Sequence, residues 1–146
     1  MNMRILKDLG LSEIEFDPGT VLLEEGVKCS NVYVLVSGKV SIKSKGHEIA
    51  KVDDPGTILG EISVLMGTEP VATVVTIEPS AFYVIEDFLK FIHKHADACI
   101  SVAQILACRL VNMNNHLVFV KEQLVALQDG LDGYVPVFPE NFQSDK

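Results

Sequence analysis

Short apolar runs follow one another along the first 85 residues: Val21 to Leu23, Asn31 to Val36, Lys39 to Lys43, Glu48 to Val52, Val71 to Ile77 and Ala81 to Ile85. Gly26, Gly38, Gly46 and Gly56 punctuate them. Within Lys39-Val40-Ser41-Ile42-Lys43 polar and apolar residues alternate, the signature of a strand with one solvated face. Many short strands at this spacing predict an antiparallel barrel, sandwich or roll. Ahead of them, Met3 to Leu11 is a short mixed segment expected to form a helical turn. Phe16-Asp17-Pro18-Gly19-Thr20 supplies a turn, with proline fixing one dihedral and glycine tolerating a left-handed one.

After Ile85 the period changes. Asp87 can cap a short helix through His95, and a second helix is expected from near Asp97. From there apolar residues fall at Ala103, Leu106, Leu110, Met113, Leu117, Val120, Leu124, Leu127 and Leu131, alternating steps of three and four. A helix carrying that heptad seam would span about 40 Å at about 1.5 Å per residue, beyond the reach of a small β domain. Its first turns are expected to pack on the β core. The remainder is expected to pair in a homodimer through Met113, Leu117, Val120, Leu124 and Leu127; packing of the whole seam on its own core is the alternative. Asn112, Asn114 and Asn115 are poor helix formers that leave room for a kink. Gly130, Gly133, Pro136 and Pro139 end the pattern. The expected division is residues 1–97 for the β domain and its connecting helix, 98–131 for the long helix, and 132–146 for an acidic tail.

Composition narrows the function classes. The 146 residues are 48% hydrophobic, enough for a substantial core, and the formal charge is −8. Arg4 and Arg109 are the two arginines, so a dedicated nucleic-acid grip and direct DNA binding are not expected. Cys29, Cys99 and Cys108 show no CxxC spacing and read as reduced thiols of a cytoplasmic protein. No signal-like N-terminal stretch and no run of 18 uncharged apolar residues occurs, so no membrane association is expected. His47, His93, His95 and His116 do not form a ligand pattern, and no serine or cysteine has a base partner in sequence context. Neither a metal site nor an enzyme is expected.

Four pieces in order carry a resemblance. They are Phe16-x-Pro18-Gly19-x-x-Leu22-x-x-Glu25-Gly26, Val32-Tyr33-Val34-Leu35-Val36-x-Gly38-Lys39-Val40, Pro55-Gly56-x-x-x-Gly60-Glu61-Ile62-x-x-Leu65, and Ala107-x-Arg109-Leu110. The span from Phe16 to Leu117 resembles the cyclic-nucleotide-binding domain family. That resemblance implies an antiparallel double-stranded β-helix, a jelly-roll-like β-roll, followed by a long C-terminal helix. It implies no essential cofactor and a small anionic ligand, cAMP or cGMP.

Residues Gly60 to Val74 correspond to the family's phosphate-binding cassette. Gly60 permits close backbone approach, and the residues after it can open a short helix whose free N–H groups attract a phosphate. The resemblance assigns Glu61 to a ribose hydroxyl, Ile62 to an apolar and amide contact, and Val71 and Ala72 to the cyclic phosphate. Glu61 has a second reading, as a cap of cassette amides. Ser63 and Thr73 can donate hydroxyls to a ligand or satisfy local backbone groups. His116 lies near where the family contacts the base, and is equally a half-exposed helix residue. The family's phosphate-binding arginine falls at Pro70, which removes a charge and a backbone donor. Arg109 is either its substitute or a residue of a salt bridge or a solvated helix face. The chain therefore reads as a sensory module passing ligand closure to a dimer helix, or as a ligand-free dimerisation or interaction module of the same fold. No DNA-reading helix pair is expected after the long helix.

Overall fold

The computed structural model describes residues 1–130. Helix α1 (Met3–Asp8) is followed by strands β1 (Glu13–Phe16), β2 (Val21–Leu23), β3 (Val32–Ser37), β4 (Val40–Ser44), β5 (His47–Val52) and β6 (Ile58–Leu59). Helix α2 (Glu61–Met66), strands β7 (Thr73–Thr76) and β8 (Ser80–Ile85), and helices α3 (Phe88–Lys94) and α4 (Ala96–Gly130) complete the order. Two four-stranded antiparallel sheets form, β1-β8-β3-β6 and β2-β7-β4-β5. This is the expected β-roll with its long C-terminal helix.

Alternation decides what each sheet buries. In β3, Tyr33 and Leu35 join Leu22, Leu23, Val40, Leu59, Val74 and Phe82 in the core between the sheets. Val32 and Val34 point to the opposite face and are fully buried as well, so this sheet is covered on both sides. Rings of Phe16, Tyr33 and Phe82 meet edge to face at 5.8–6.3 Å, the arrangement aromatic quadrupoles favour. Strand β5 buries almost nothing and closes its sheet as an edge.

The β4–β5 connection is a two-residue turn, Lys45-Gly46, with φ of 51° and 79°. Positive φ at both central positions matches the right-handed twist of a hairpin. Gly38 is tighter still: a Cβ there would lie 2.2 Å from Ser80 Oγ.

Three local features add to the sequence reading. Glu13–Phe16, of which only Phe16 was read, as the start of a turn, is a strand pairing with β8 from Glu13↔Tyr83 to Phe16↔Ser80. Asp87 sits at the N-cap of α3 with φ 47° and makes no side-chain capping bond; its carbonyl accepts from Phe91 N instead. Helix α4 runs unbroken through Asn112, Asn114 and Asn115.

The chain divides into two compact units, Met1–Ile105 and a second that starts at Leu106. In the first, Ala98 and Val102 of α4 are buried. In the second, the seam residues Leu110, Met113, Leu117 and Leu127 are each about 60% exposed, as are Val111, Val118 and Phe119 outside the seam to a similar degree. These extra apolar positions make α4 long and apolar enough to cross a membrane by length and composition. Leu131 and the expected tail at 132–146 lie outside the described residues.

Candidate ligand site

The cassette is built between two left-handed glycines. After β6, Gly60 turns the chain at φ 93° and ψ −6°, and α2 starts at Glu61. A side chain at Gly60 would stand 3.1 Å from Leu23 Cδ1 and 3.2 Å from the Asn31 carbonyl, so both the dihedral and the space demand glycine. Gly67 ends α2 at φ 66°, where its N–H reaches the Ser63 and Val64 carbonyls. The chain then passes Pro70 and enters β7 at Thr73.

Hydrogen bonds fix the exit of the cassette to two distant segments. The buried Pro70 offers its carbonyl to Gly26 N at 2.9 Å. Glu25 N donates to Thr73 Oγ1 at 3.0 Å. The Glu25 carboxylate accepts from Ser44 Oγ at 3.3 Å and from Lys45 N at 2.9 Å. Ser44 Oγ also donates to the Val71 carbonyl at 3.0 Å. A carboxylate thus caps the amide of a turn residue held at positive φ, and the same hydroxyl joins it to the cassette. Motif reading included Glu25 without giving it a role and missed Ser44; the Lys45-Gly46 turn signal was the visible clue.

The expected site residues divide into three groups. Gly60, Glu61 and Ser63 open α2, with Glu61 at 2% and Ser63 at 8% exposure. Ser63 Oγ donates to the Gly60 carbonyl at 3.0 Å, so its hydroxyl serves the local backbone. Thr73 likewise spends an oxygen lone pair on Glu25 N. Ile62 is 56% and Val71 81% exposed, while Ala72 is half-buried between Val71 and β7. His116 is exposed and Arg109 half-buried, both on the part of α4 that belongs to the second unit.

The electrostatics of the cassette are one-sided. From Gly60 to Thr76 there is no lysine or arginine, whereas Glu61 and Glu69 are both acidic. Tyr33, paired with Leu59 of β6, has its phenol pushed above the ordinary value by burial, with Cys29 beside it adding to the rise and an Asn31 hydrogen bond opposing it. Among the described residues, no group of three His, Cys, Asp or Glu side chains converges as a metal site.

Comparison with known proteins fits this architecture. The family described as cyclic nucleotide-binding domain matches residues 13–95. The chain is 28% identical over 113 residues to a cGMP-dependent protein kinase of Eimeria tenella, covering 77% of this chain and 10% of that protein. It is 27% identical over 115 residues to the Pycsar effector protein XpPycTIR of Xanthomonas perforans, covering 77% of this chain and 37% of that one. Among solved structures, the catabolite activator protein of Thermus thermophilus superposes with a TM-score of 0.66 at 23% identity, over 82% of this chain and 60% of that one. The chain therefore spans well under half the length of the two curated relatives.

Proposed function

Because the chain belongs to the cyclic nucleotide-binding domain family, a sensory and regulatory module, we propose that it binds a nucleotide-like ligand at the cassette and relays this to a dimeric α4. The observation that carries this reading is the intact cassette frame. Gly60 keeps its left-handed turn, α2 opens with a buried Glu61, and Gly26 clasps Pro70 across the loop. Glu61 is assigned to a ribose hydroxyl, and the Ile62, Val71 and Ala72 backbone to the remainder of the ligand, with cAMP and cGMP as the first candidates. Ligand at the cassette shifts the first turns of α4, where Ala98 and Val102 are buried, and the shift alters pairing along Met113, Leu117, Val120, Leu124 and Leu127. The module acts by binding, without catalysis of its own.

The helix pairs in water rather than in a bilayer. Arg109, Asn112, Asn114, Asn115 and His116 sit midway along it, and such groups are costly in hydrocarbon. The three unpaired cysteines support a cytoplasmic location.

A second reading has its own support: Pro70, the residue that the resemblance sets in place of an arginine, is buried, in keeping with a ligand-free module kept for dimerisation or partner binding. Amide-resolved NMR separates the two. Saturable shifts at Gly60, Glu61 and Ala72 on adding nucleotides or nucleosides support the sensor. No shift up to about 5 mM ligand, an affinity weaker than about −3 kcal/mol, leaves only the interaction module.

A further inference from the structure

We propose that the cassette exit and the β4–β5 turn open and close as one unit, locked by Glu25, so that an event at either is transmitted to the other. This coupling lies outside α4 and holds whether the cassette is filled or empty.

Sheet order brings the parts together. In the order β2-β7-β4-β5, β2 ends at Leu23 opposite Val74, and β7 begins at Thr73 opposite Lys43. Strand β4 ends at Ser44, opposite His47 of β5. The loop leaving β2, the cassette exit entering β7 and the turn joining β4 to β5 therefore emerge at one end of the sheet.

Each of these segments is hydrogen-bonded to the other two. Glu25 N donates to Thr73 Oγ1 at 3.0 Å, and Gly26 N to the Pro70 carbonyl at 2.9 Å. Both oxygens of the Glu25 carboxylate face the turn, Oε1 accepting from Ser44 Oγ at 3.3 Å and Oε2 from Lys45 N at 2.9 Å. Ser44 Oγ closes the triangle on the Val71 carbonyl at 3.0 Å. A hydroxyl carries one proton, so Ser44 divides it between the carboxylate and the carbonyl. The hold on the turn therefore falls chiefly on the charge-assisted bond from Lys45 N.

Packing adds little at this junction. Val27 and Val71, which flank it, are 51% and 81% exposed, and Glu25 is half-buried. Segments held mainly by polar contacts near water open locally, well before the fold as a whole. Lys45 sharpens the tendency: its φ of 51° is a conformation that residues other than glycine seldom adopt, and the bond to Glu25 helps to keep it there. Glu25 grips the turn with its side chain and the cassette exit with its own N–H, and Gly26 follows it directly. Release of the turn therefore frees the residue that tethers the cassette exit. The exposed Lys45-Gly46 turn carries the state of the cassette exit to the surface.

Amide hydrogen exchange on the full chain tests this without any ligand. The Glu25, Gly26 and Lys45 amides should show protection factors within about threefold of one another, lost together in low urea. All three should fall below a core amide such as Leu35 N, which donates to the Thr57 carbonyl. A wider spread among the three overturns the proposal. Glu25→Gln keeps the side-chain shape while removing the charge and one acceptor. It should speed exchange at all three amides by about fivefold or more, with Leu35 changed less than about twofold. Gly26 is the decisive reporter, because its acceptor, the Pro70 carbonyl, is untouched by the substitution. A smaller acceleration at Gly26, whatever happens at Lys45, overturns the proposal, since a purely local loss stops at the bond removed. Where Glu25→Gln does not fold, the wild-type comparison decides.

Discussion

Alanine at Gly60 should be far more damaging than alanine at Gly67, although both glycines bound the same six-residue helix in left-handed conformations. At Gly67 the dihedrals are φ 66° and ψ 22°, and an added Cβ meets nothing within 4 Å. An L-residue there costs about 1–2 kcal/mol of backbone strain, and restricting the unfolded chain returns about 0.4–1 kcal/mol. The net loss is about 0.5–1 kcal/mol. At Gly60 the backbone lies further out, at φ 93°, and the Cβ meets Leu23 Cδ1 at 3.1 Å and the Asn31 carbonyl at 3.2 Å. Leu23 is 4% exposed and hemmed by the core, and the Asn31 carbonyl belongs to the backbone entering β3. Overpacking of this kind adds about 1–3 kcal/mol, bringing the loss to about 2–4 kcal/mol. Urea unfolding followed by far-ultraviolet circular dichroism, at one protein concentration and with unchanged m, measures both variants. With no tryptophan in the chain, tyrosine emission from Tyr33 and Tyr83 gives a second probe of the core. A Gly60→Ala variant no less stable than Gly67→Ala refutes the argument that close approach, rather than dihedral alone, reserves this position for glycine.

Three further outcomes are expected. Phe82→Ala removes the fully buried ring at the centre of the aromatic cluster and should cost about 3–5 kcal/mol in the same unfolding assay; a loss below about 1 kcal/mol would contradict the packing described. Glu48 should titrate below its usual range, chiefly because Ser41 Oγ donates to its carboxylate at 2.6 Å, with Lys51 and Lys43 adding to the effect against some burial. A depressed folded value stabilises above the unfolded value of about 4.3 and is lost as pH falls through the lower folded value, so Ser41→Ala should raise the NMR midpoint of Glu48 and flatten that acid-side dependence. Sedimentation at about 50 µM should give a dimer for the full chain and a monomer for the Leu117→Glu, Leu124→Glu variant. A wild-type monomer there rules out the α4 pairing.

Legibility followed the range of the interactions. The strands between glycine turns were readable because alternation and turn chemistry are local, as in Lys39–Lys43 and Lys45-Gly46. Strand β1 was not, because its alternation is too short to distinguish from a lead-in and even Ile14 is 46% exposed on it. Ile58–Leu59 is two residues long, and no period exists in two residues. The asparagines of α4 do not interrupt it: about 0.7 kcal/mol apiece is little against the continuity of a 35-residue helix. The cassette was visible through its glycines and through Glu61. What holds its exit in place was hidden, because Glu25 meets Ser44 and Lys45 across 19 and 20 residues, and Pro70 contributes a backbone oxygen that no side-chain pattern reports.

That backbone oxygen has an evolutionary consequence. The clasp between the cassette and the loop after β2 uses the carbonyl of residue 70, which every amino acid carries, so the tie does not depend on the side chain there. The tie and the charge at this position are thereby separable at one site. Proline and arginine codons can differ by a single nucleotide, so one base change alters the charge of the cassette while preserving the carbonyl that ties it down.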